Sequence, residues 1–428
     1  MTPELLATTI VQHLQSAGHI AYFAGGCVRD RLLGNPPKDF DVATSATPDQ
    51  VLKLFPRSQQ VGAAFGVILV RDKRNRDDPT PPAQVEVATF RSDGTYSDGR
   101  HPDSVRFTTA KEDAQRRDFT CNGLFLDPLA NGGVGVLHDF VGGQEDIEHK
   151  TLRAIGDPAA RFTEDHLRML RAVRFAARLG FTIEPNTRDA IARLASNIKT
   201  ISRERIGDEF GRILEHPTRG TAVRLLEDLG LLRQIWPAGA APSAMPTQAA
   251  ADQWPRTDHL PDTSPRTLAL AAVCRDLFLS SGLPAPTEDA PRVAEQLQLA
   301  FALSNDERDD ITWLLQKLPL LTDRAQWRRS IHKKLLADRR WPLLRALHLA
   351  DRVGTPDPDL DAWSDTLRAE PGGVAPAPFI TGGTLISLGA KPGPAFKAWL
   401  DTLYDRQLEN EFPTPADALA AARALLRT

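Results

Sequence analysis

Residues 20–44 read IAYFAGGCVRDRLLGNPPKDFDVAT. A short apolar run meets the paired glycines Gly25-Gly26, and a helical pattern follows from Val28 to Leu33. Glycines between a strand and a helix let the backbone approach a ligand, and the helix start behind them offers unpaired N–H groups to an anion. Arg29 adds a guanidinium fork for phosphate-type oxygens. The next run, DFDVAT, alternates like a strand and so puts Asp39 and Asp41 on one face. Two carboxylates side by side repel unless a cation lies between them. Hard oxygen ligands in that number suit Mg²⁺, which takes one or two carboxylates plus substrate oxygens.

Working outward, residues 1–145 mix helix and strand signals. TPELLATTIVQHLQSAG reads as a helix ending at Gly18, and Thr47-Pro48 opens another. GVILVR and QVEVATFR read as strands, separated by the charged, Pro-rich RDKRNRDDPTPPA. The strand VEVATF carries Glu86, a candidate third carboxylate beside the aspartates. RSDGTYSDGRHPDSVRF is long, polar and Gly-rich enough for a mobile loop. From about Arg161 the signals turn helical: 163–180, 186–199, 203–215 and 218–233, then 266–282, 290–302, 305–317 and 324–350. Residues 237–265 are Pro/Ala-rich. The pattern predicts an α+β chain, with a small head of strands and helices at 1–145, a mostly helical remainder, and a linker or long loop at 237–265.

The 428 residues are 41% hydrophobic and 25% charged, which excludes wholesale disorder, collagen and a disulfide scaffold. No stretch approaches the roughly 20 apolar residues that span a bilayer. The N-terminus carries Glu4 and no basic region ahead of an apolar core, so a cytoplasmic protein is expected. Cys27, Cys121 and Cys274 show no metal-type spacing. The net charge is −3, but thirteen Lys/Arg against eight Asp/Glu fall in 150–212, and eight against one in 324–345. Such clusters are a local footprint for a polyanion. Trp327 and Trp341 beside the second cluster read as core packing. The dipeptide His138-Asp139, without companion histidines, reads as structural.

The segment 164–178, EDHLRMLRAVRFAAR, places Asp165, Arg168, Arg171, Arg174 and Arg178 on one side of a helical wheel at about 100° per residue, opposite Met169, Leu170 and Val173. Four like charges in a row call for an anion. The pair Asp165 and Arg168 joins an acceptor-only group to a donor-only group. It matches the amine and adjacent ring nitrogen of cytosine or adenine and mismatches uracil and guanine, where buried polar groups would stay unpaired. In RRDFTCNG (116–123), Arg117 is a candidate ligand for a triphosphate or sugar, and Asp118 a candidate for orienting an arginine.

GGCVRD, LLG, DFD, VEVATFRSDGTYSDGRHP, RRDFTCNG, EDHLRMLRAVRFAARLGF and ISRERIGDEFGRIL, in that order over roughly residues 20–235, resemble the class II tRNA nucleotidyltransferases, the CCA-adding enzymes, and their relatives the bacterial poly(A) polymerases. FITGGTLISLGAKPGPAFKAWL resembles the family's C-terminal end. The resemblance implies a nucleotidyltransferase palm, a small mixed sheet with helices, at 1–145, followed by an all-α neck at 146–236 and, beyond the 237–265 linker or long loop, an all-α body and tail at 266–428. It implies Mg²⁺ at the catalytic Asp39 and Asp41; Glu86 stays a candidate third catalytic acid on its strand position alone. Gly26, Arg29 and Arg117 would hold the nucleotide, Asp165 and Arg168 would read the base, and Arg171 and Arg174 would contact nucleotide or phosphates. The implied reaction transfers CMP and AMP from CTP and ATP to the 3′ end of tRNA, tracked along its acceptor stem, with no membrane and no obligatory protein partner. The intact TYSDGRHP element argues against CC-only addition. The neutral Ala63 and Ala64, where poly(A) polymerases carry a basic pair, favour tRNA end maturation. An A-adding enzyme or a poly(A) polymerase is the alternative, and a silent RNA-binding module is disfavoured by the intact Asp39/Asp41 pair.

Overall fold

The computed structural model describes residues 1–61, 66–72, 82–94, 104–241, 254–323 and 327–426. Ala63, Ala64, the stretch TYSDGRHP, and parts of 71–84 and 237–265 lie outside the described residues. The chain forms two compact units: Met1–Ile213 with Thr221–Ile235, and Leu214–Gly220 with Trp236–Thr428. No helix among the described residues is long and apolar enough to cross a membrane.

The first unit is built on a seven-stranded mixed sheet. Its strands are β1 (Ala21–Ala24), β2 (Asp41–Thr44), β3 (Ser58–Gln60), β4 (Val67–Arg71), β5 (Gln84–Thr89), β8 (Leu124–Asp127) and β9 (Val136–Asp139), in the order β3-β4-β5-β2-β1-β8-β9. A separate hairpin supplies β6 (Arg91–Asp93) and β7 (Val105–Phe107). Among the described residues, only the β2–β5 pairing in the large sheet is parallel. One row of partnered residues crosses six strands: Leu69, Glu86, Asp41, Ala24, Phe125 and His138. Partners in a row share a face, so Asp41 and Glu86 are neighbours on it. Val42 and Val87, one residue on, point into a fully buried opposite side.

Helices α1 (Pro3–Ser16), α2 (Gly26–Leu32), α3 (Pro48–Leu54), α4 (Ala110–Gln115) and α5 (Gly143–Glu148) surround this sheet. Ala110 and Ala114 of α4 lie over Ala24, Ala43, Phe90 and Phe125. The expected structural role of His138-Asp139 is visible. Asp139 Oδ1 accepts from the N–H groups of Val141, Gly142 and Gly143, and its Oδ2 from that of Gln144, at 2.9–3.1 Å. The carboxylate thus caps the start of α5, and His138 stacks on Phe140.

Helical segments follow: α6 (Pro158–Glu164), α7 (Leu167–Leu179), α8 (Pro185–Leu194) and α9 (Arg203–Leu214). The single helix expected over 163–180 is therefore two. Asp165 is extended, with φ −152°, and its Oδ1 accepts the Leu167 N–H at 3.1 Å. A short acid that captures a backbone N–H two residues on competes with helix continuation.

Every regular element among the described residues of the second unit is a helix. The Arg266–Ser280 helix is buried on nearly every side. The described end of the Pro/Ala-rich stretch is folded rather than loose: Trp254 is fully buried, and the short helix Pro255–Asp258 is held by Asp276, which accepts from Thr257 N–H, Thr257 Oγ and Arg256. The helix expected over 324–350 is broken into Arg329–Ala337 and Trp341–Asp351. Pro342 has no N–H to continue a helix but suits a first turn. At the C-terminal end, Ile380, Leu385, Leu403, Phe412 and Ala422 form a separate small core. Trp341 is buried as expected, and Trp327 stacks on Trp363 at 6.5 Å.

Candidate active site

A cavity of about 570 Å³ opens within the first unit. Of the residues singled out in the sequence, Gly25, Gly26, Arg29, Asp41, Arg117, Asp118, Asp165, Arg168 and Arg171 line it. Asp39, Glu86 and Arg174 do not.

The turn from β1 into α2 forms one wall. Gly25 has φ +70° and ψ −121°, a conformation open to glycine alone. A Cβ there would come within 3.0 Å of Arg117 Nη1. The turn also explains why β2 starts late. β1 ends at Ala24, opposite Asp41, so nothing remains to pair with Asp39. Asp39 therefore sits in the bend before the strand, a correction to the expected strand pair. The alternation survives, because Phe40 between the two acids is buried while both acids are exposed. Glu86 is Asp41's cross-strand partner. Although its surface is open, the cavity walls around Asp41 thin its solvation, and this, then the nearby Glu86 and Asp39 carboxylates, pushes it up to about 6 against the opposing pull of Arg117.

None of these three carboxylates has an ion pair or side-chain hydrogen bond among the described residues. They offer hard oxygen donors only, since the Cys27 thiol nearby is buried and its pKa raised by that burial. No three His, Cys, Asp or Glu among the described residues converge into a closed cage. The acids thus form an open, crowded edge that a hard divalent cation fits when other oxygens complete its shell.

Arginines form the second wall, and each is held by the protein. Arg29, buried, donates from Nη1 to Asn122 Oδ1 at 2.7 Å and from Nε and Nη2 to Asp30. Arg117 donates from Nε and Nη2 to Asp113 Oδ2 and from Nη1 to the Asn122 carbonyl. Asp113 holds Arg116 with its other oxygen. Burial works to raise Asp113, but Arg117 and Arg116 outweigh it and hold the carboxyl below its usual range. Asp118 does orient an arginine: its Oδ2 accepts from Arg171 Nε and Nη2 at 3.0 and 2.6 Å. Burial opposes ionisation of Asp118, yet Arg171, Asn122 and the Phe119 N–H bring it down to about 2. Phe175 lies beneath the guanidinium groups of Arg29 and Arg171, each 5.4 Å from its ring centre.

The third wall is the α6–α7 junction. Asp165 Oδ2 accepts from Arg205 Nη2 at 2.7 Å, and Arg168 pairs with Glu164, which also holds Arg161. Both base-reading candidates face the cavity, although Asp165 reaches it from a helix cap rather than from a helix face. The arginine row is not the unneutralised stripe that the wheel suggested. Arg168 has Glu164, Arg171 has Asp118, Arg174 has Glu209, and Arg178 donates to the Arg212 carbonyl. Arg174 is buried with Glu209 instead of facing the cavity.

Sequence reasoning missed Asp113, Asn122, Phe175 and Arg205. Asn122 and Arg205 act through Arg29 and Asp165, far away in sequence, and Phe175 through its ring face, so no local spacing marks them; Asp113 stands three and four residues before Arg116 and Arg117, a helical spacing that could have found it. The run ISRERIGDEFGRIL did hold Arg205.

The chain matches the family model described as poly A polymerase head domain over residues 21–153, and that described as probable RNA and SrmB-binding site of polymerase A over 180–241. It is 34% identical over 412 residues to the CCA-adding enzyme of Geobacillus thermodenitrificans, covering 95% of this chain and 94% of that one. It is 32% identical over 408 residues to that of Lacticaseibacillus paracasei, covering 95% and 92%. Among solved structures, the Bacillus stearothermophilus CCA-adding enzyme in complex with CTP superposes with a TM-score of 0.76 at 28% identity, over 100% of both chains.

Proposed function

The chain belongs to the family of the CCA-adding enzymes, and on that premise we propose that it adds CMP and AMP, without a nucleic-acid template, to the 3′ end of tRNA. CTP and ATP are the donors and pyrophosphate leaves. The observation that carries this reading is that one cavity holds both Asp41 and the Asp165–Arg168 pair. A reacting centre and a base reader would then meet the same nucleotide.

In this reading the tRNA 3′-oxygen attacks the α-phosphorus and the α–β phosphoanhydride bond breaks. Asp39 and Asp41 would hold Mg²⁺, with Glu86 beside them, and the bound ion would lower the pKa of the 3′-hydroxyl and steady the α-phosphate. Arg29, Arg117 and Arg171 hold the negative charge of the triphosphate and of the departing pyrophosphate. The Gly25-Gly26 turn keeps side chains out of the nucleotide's way. Asp165 accepts from the exocyclic amine of cytosine or adenine, and Arg168 donates to the adjacent ring nitrogen. Arg174 acts from behind, by packing on Phe175, its guanidinium 4.3 Å from the ring centre. Residues 1–145 serve as palm, 146–236 as neck and 266–428 as the body and tail that meet tRNA, in the cytoplasm.

Purified protein with Mg²⁺, CTP and ATP is expected to lengthen tRNA lacking CCA by three nucleotides, C-ended tRNA by two and CC-ended tRNA by one. Extension of the CC-ended substrate alone would select the A-adding reading. Long A tails on generic RNA would select a poly(A) polymerase.

A further inference from the structure

Four of the cavity's charged groups are tied to one uncharged residue, two through its side chain, one through its backbone carbonyl and one through a shared carboxylate. Asn122, 8% exposed, lies in the short turn Thr120–Asn122 after the paired arginines. Its Oδ1 accepts from Arg29 Nη1 at 2.7 Å. Its Nδ2 donates to Asp118 Oδ1 at 3.1 Å, and the other oxygen of Asp118 holds Arg171. Its backbone carbonyl accepts from Arg117 Nη1 at 3.2 Å. We propose that Asn122 is the positioning residue that sets Arg29, Arg117 and Arg171 in one fixed arrangement toward the nucleotide.

The chemistry leaves this amide one orientation. Arg29 can only donate, and an ionised Asp118 can only accept. The oxygen must face Arg29 and the nitrogen must face Asp118. The side chain therefore joins a cation and an anion without adding charge. Aspartate in its place would accept from Arg29 but set a second carboxylate against Asp118. Alanine would leave the facing oxygen of Asp118 and one Arg29 N–H without this partner inside the protein. Arg117 would keep Asp113 and the backbone carbonyl, and Arg171 would keep Asp118, but Arg29 and Asp118 would lose the bridge between them, so a triphosphate would meet Arg29 and Arg171 set independently of each other. The proposal rests on the nucleotidyl-transfer reading and adds to it what sets the arginine geometry.

The test measures CTP affinity and steady-state CMP incorporation for wild type, Asn122→Ala and Asn122→Asp, with thermal unfolding as a check on folding. Wild-type binding of CTP is the control; its absence would count against the proposed function itself. Asn122→Ala is expected to weaken CTP binding and raise KM by roughly ten- to a hundredfold, the loss typical of a hydrogen bond to a charged group, with kcat falling less. Asn122→Asp carries the sharper reading. A protonated carboxyl donates to Asp118 while still accepting from Arg29, as the amide does, whereas the ionised form cannot. The groups facing it are Arg29 from α2, Asp118, Arg117, Cys121, Arg171 from α7 and, behind Thr120, Asp146 from α5. Affinity relative to wild type should recover as pH falls from 8 to 5.5 for Asn122→Asp and stay flat for Asn122→Ala. Dividing by wild type cancels titrations common to all three proteins. Wild-type affinity in Asn122→Ala would overturn the proposal. So would an Asn122→Asp ratio that is flat with pH, which also decides the matter if the alanine variant does not fold.

Discussion

Single residues divide by whether their charge helps the fold or opposes it. Asp41 is crowded by Glu86 and Asp39 and lacks a protein partner for its carboxylate among the described residues. Asp41→Asn should cost roughly 10²- to 10³-fold in incorporation, the several kcal/mol of charge stabilisation that a bound cation supplies. The metal-free variant should be at least as stable as wild type in urea, because a like charge has been removed from the cluster. Asp118 behaves oppositely. Its carboxyl is held at about 2, so the folded state prefers the ionised form more than the unfolded chain does. Its contribution is complete above the unfolded pKa near 4 and disappears as pH falls through about 2. Asp118→Asn should destabilise the protein by on the order of 2 kcal/mol at pH 7. In urea unfolding, the gap to wild type should hold from pH 8 to pH 5 and narrow only below about pH 4.

Elements carry these residues to the cavity, and here the sequence was partly readable. The β1 turn was legible because Gly25-Gly26 has few other uses between a strand and a helix. Gly25→Ala forces a side chain into a positive-φ conformation against Arg117. It should destabilise by about 1–3 kcal/mol and raise KM for both nucleotides, read by thermal unfolding beside steady-state kinetics. The acid–arginine pair was legible in kind but not in geometry. Helical spacing put Asp165 on the face of Arg168, whereas the chain breaks the helix and reaches the same cavity from a cap. Periodicity registers apolar repeats, and Phe162, Met169 and Leu170 are buried on both sides of the break, so the repeat continued across it. Asn122 left no trace of that kind, whereas Asp113 stands three and four residues before Arg116 and Arg117, a spacing that could have marked it. Their meaning lies in the arginines they hold, and Arg29 is 93 residues from Asn122.

For the whole molecule, charge counted along the chain overstates charge available to RNA. Each described cation of 324–345 meets a carboxylate: Arg328 Glu409, Arg329 and Lys333 Glu370, Lys334 Asp405, Arg339 Asp310, Arg340 Asp338 and Arg345 Asp361. Lys333 is only 2% exposed, so its partnership is structural. Such cations have already given up their counterions. Arg345→Gln should therefore leave the slope of log affinity against log salt for tRNA unchanged. A cation in contact with a phosphate would lower it by roughly 0.7–0.9. Equilibrium tRNA binding from 50 to 300 mM salt separates the two outcomes.

The parallel pairing of β2 with β5 has a further consequence for how this chain can vary. Side chains alternate along a strand, so one extra or missing residue inside Gln84–Thr89 would swing Glu86 through the sheet to the side where Val42 and Val87 are buried. Two extra residues would restore its side but shift it a step along from Asp41. Length, as much as chemistry, is under constraint in these two short strands: point exchanges can be graded, whereas insertions there act as frame errors written in three dimensions.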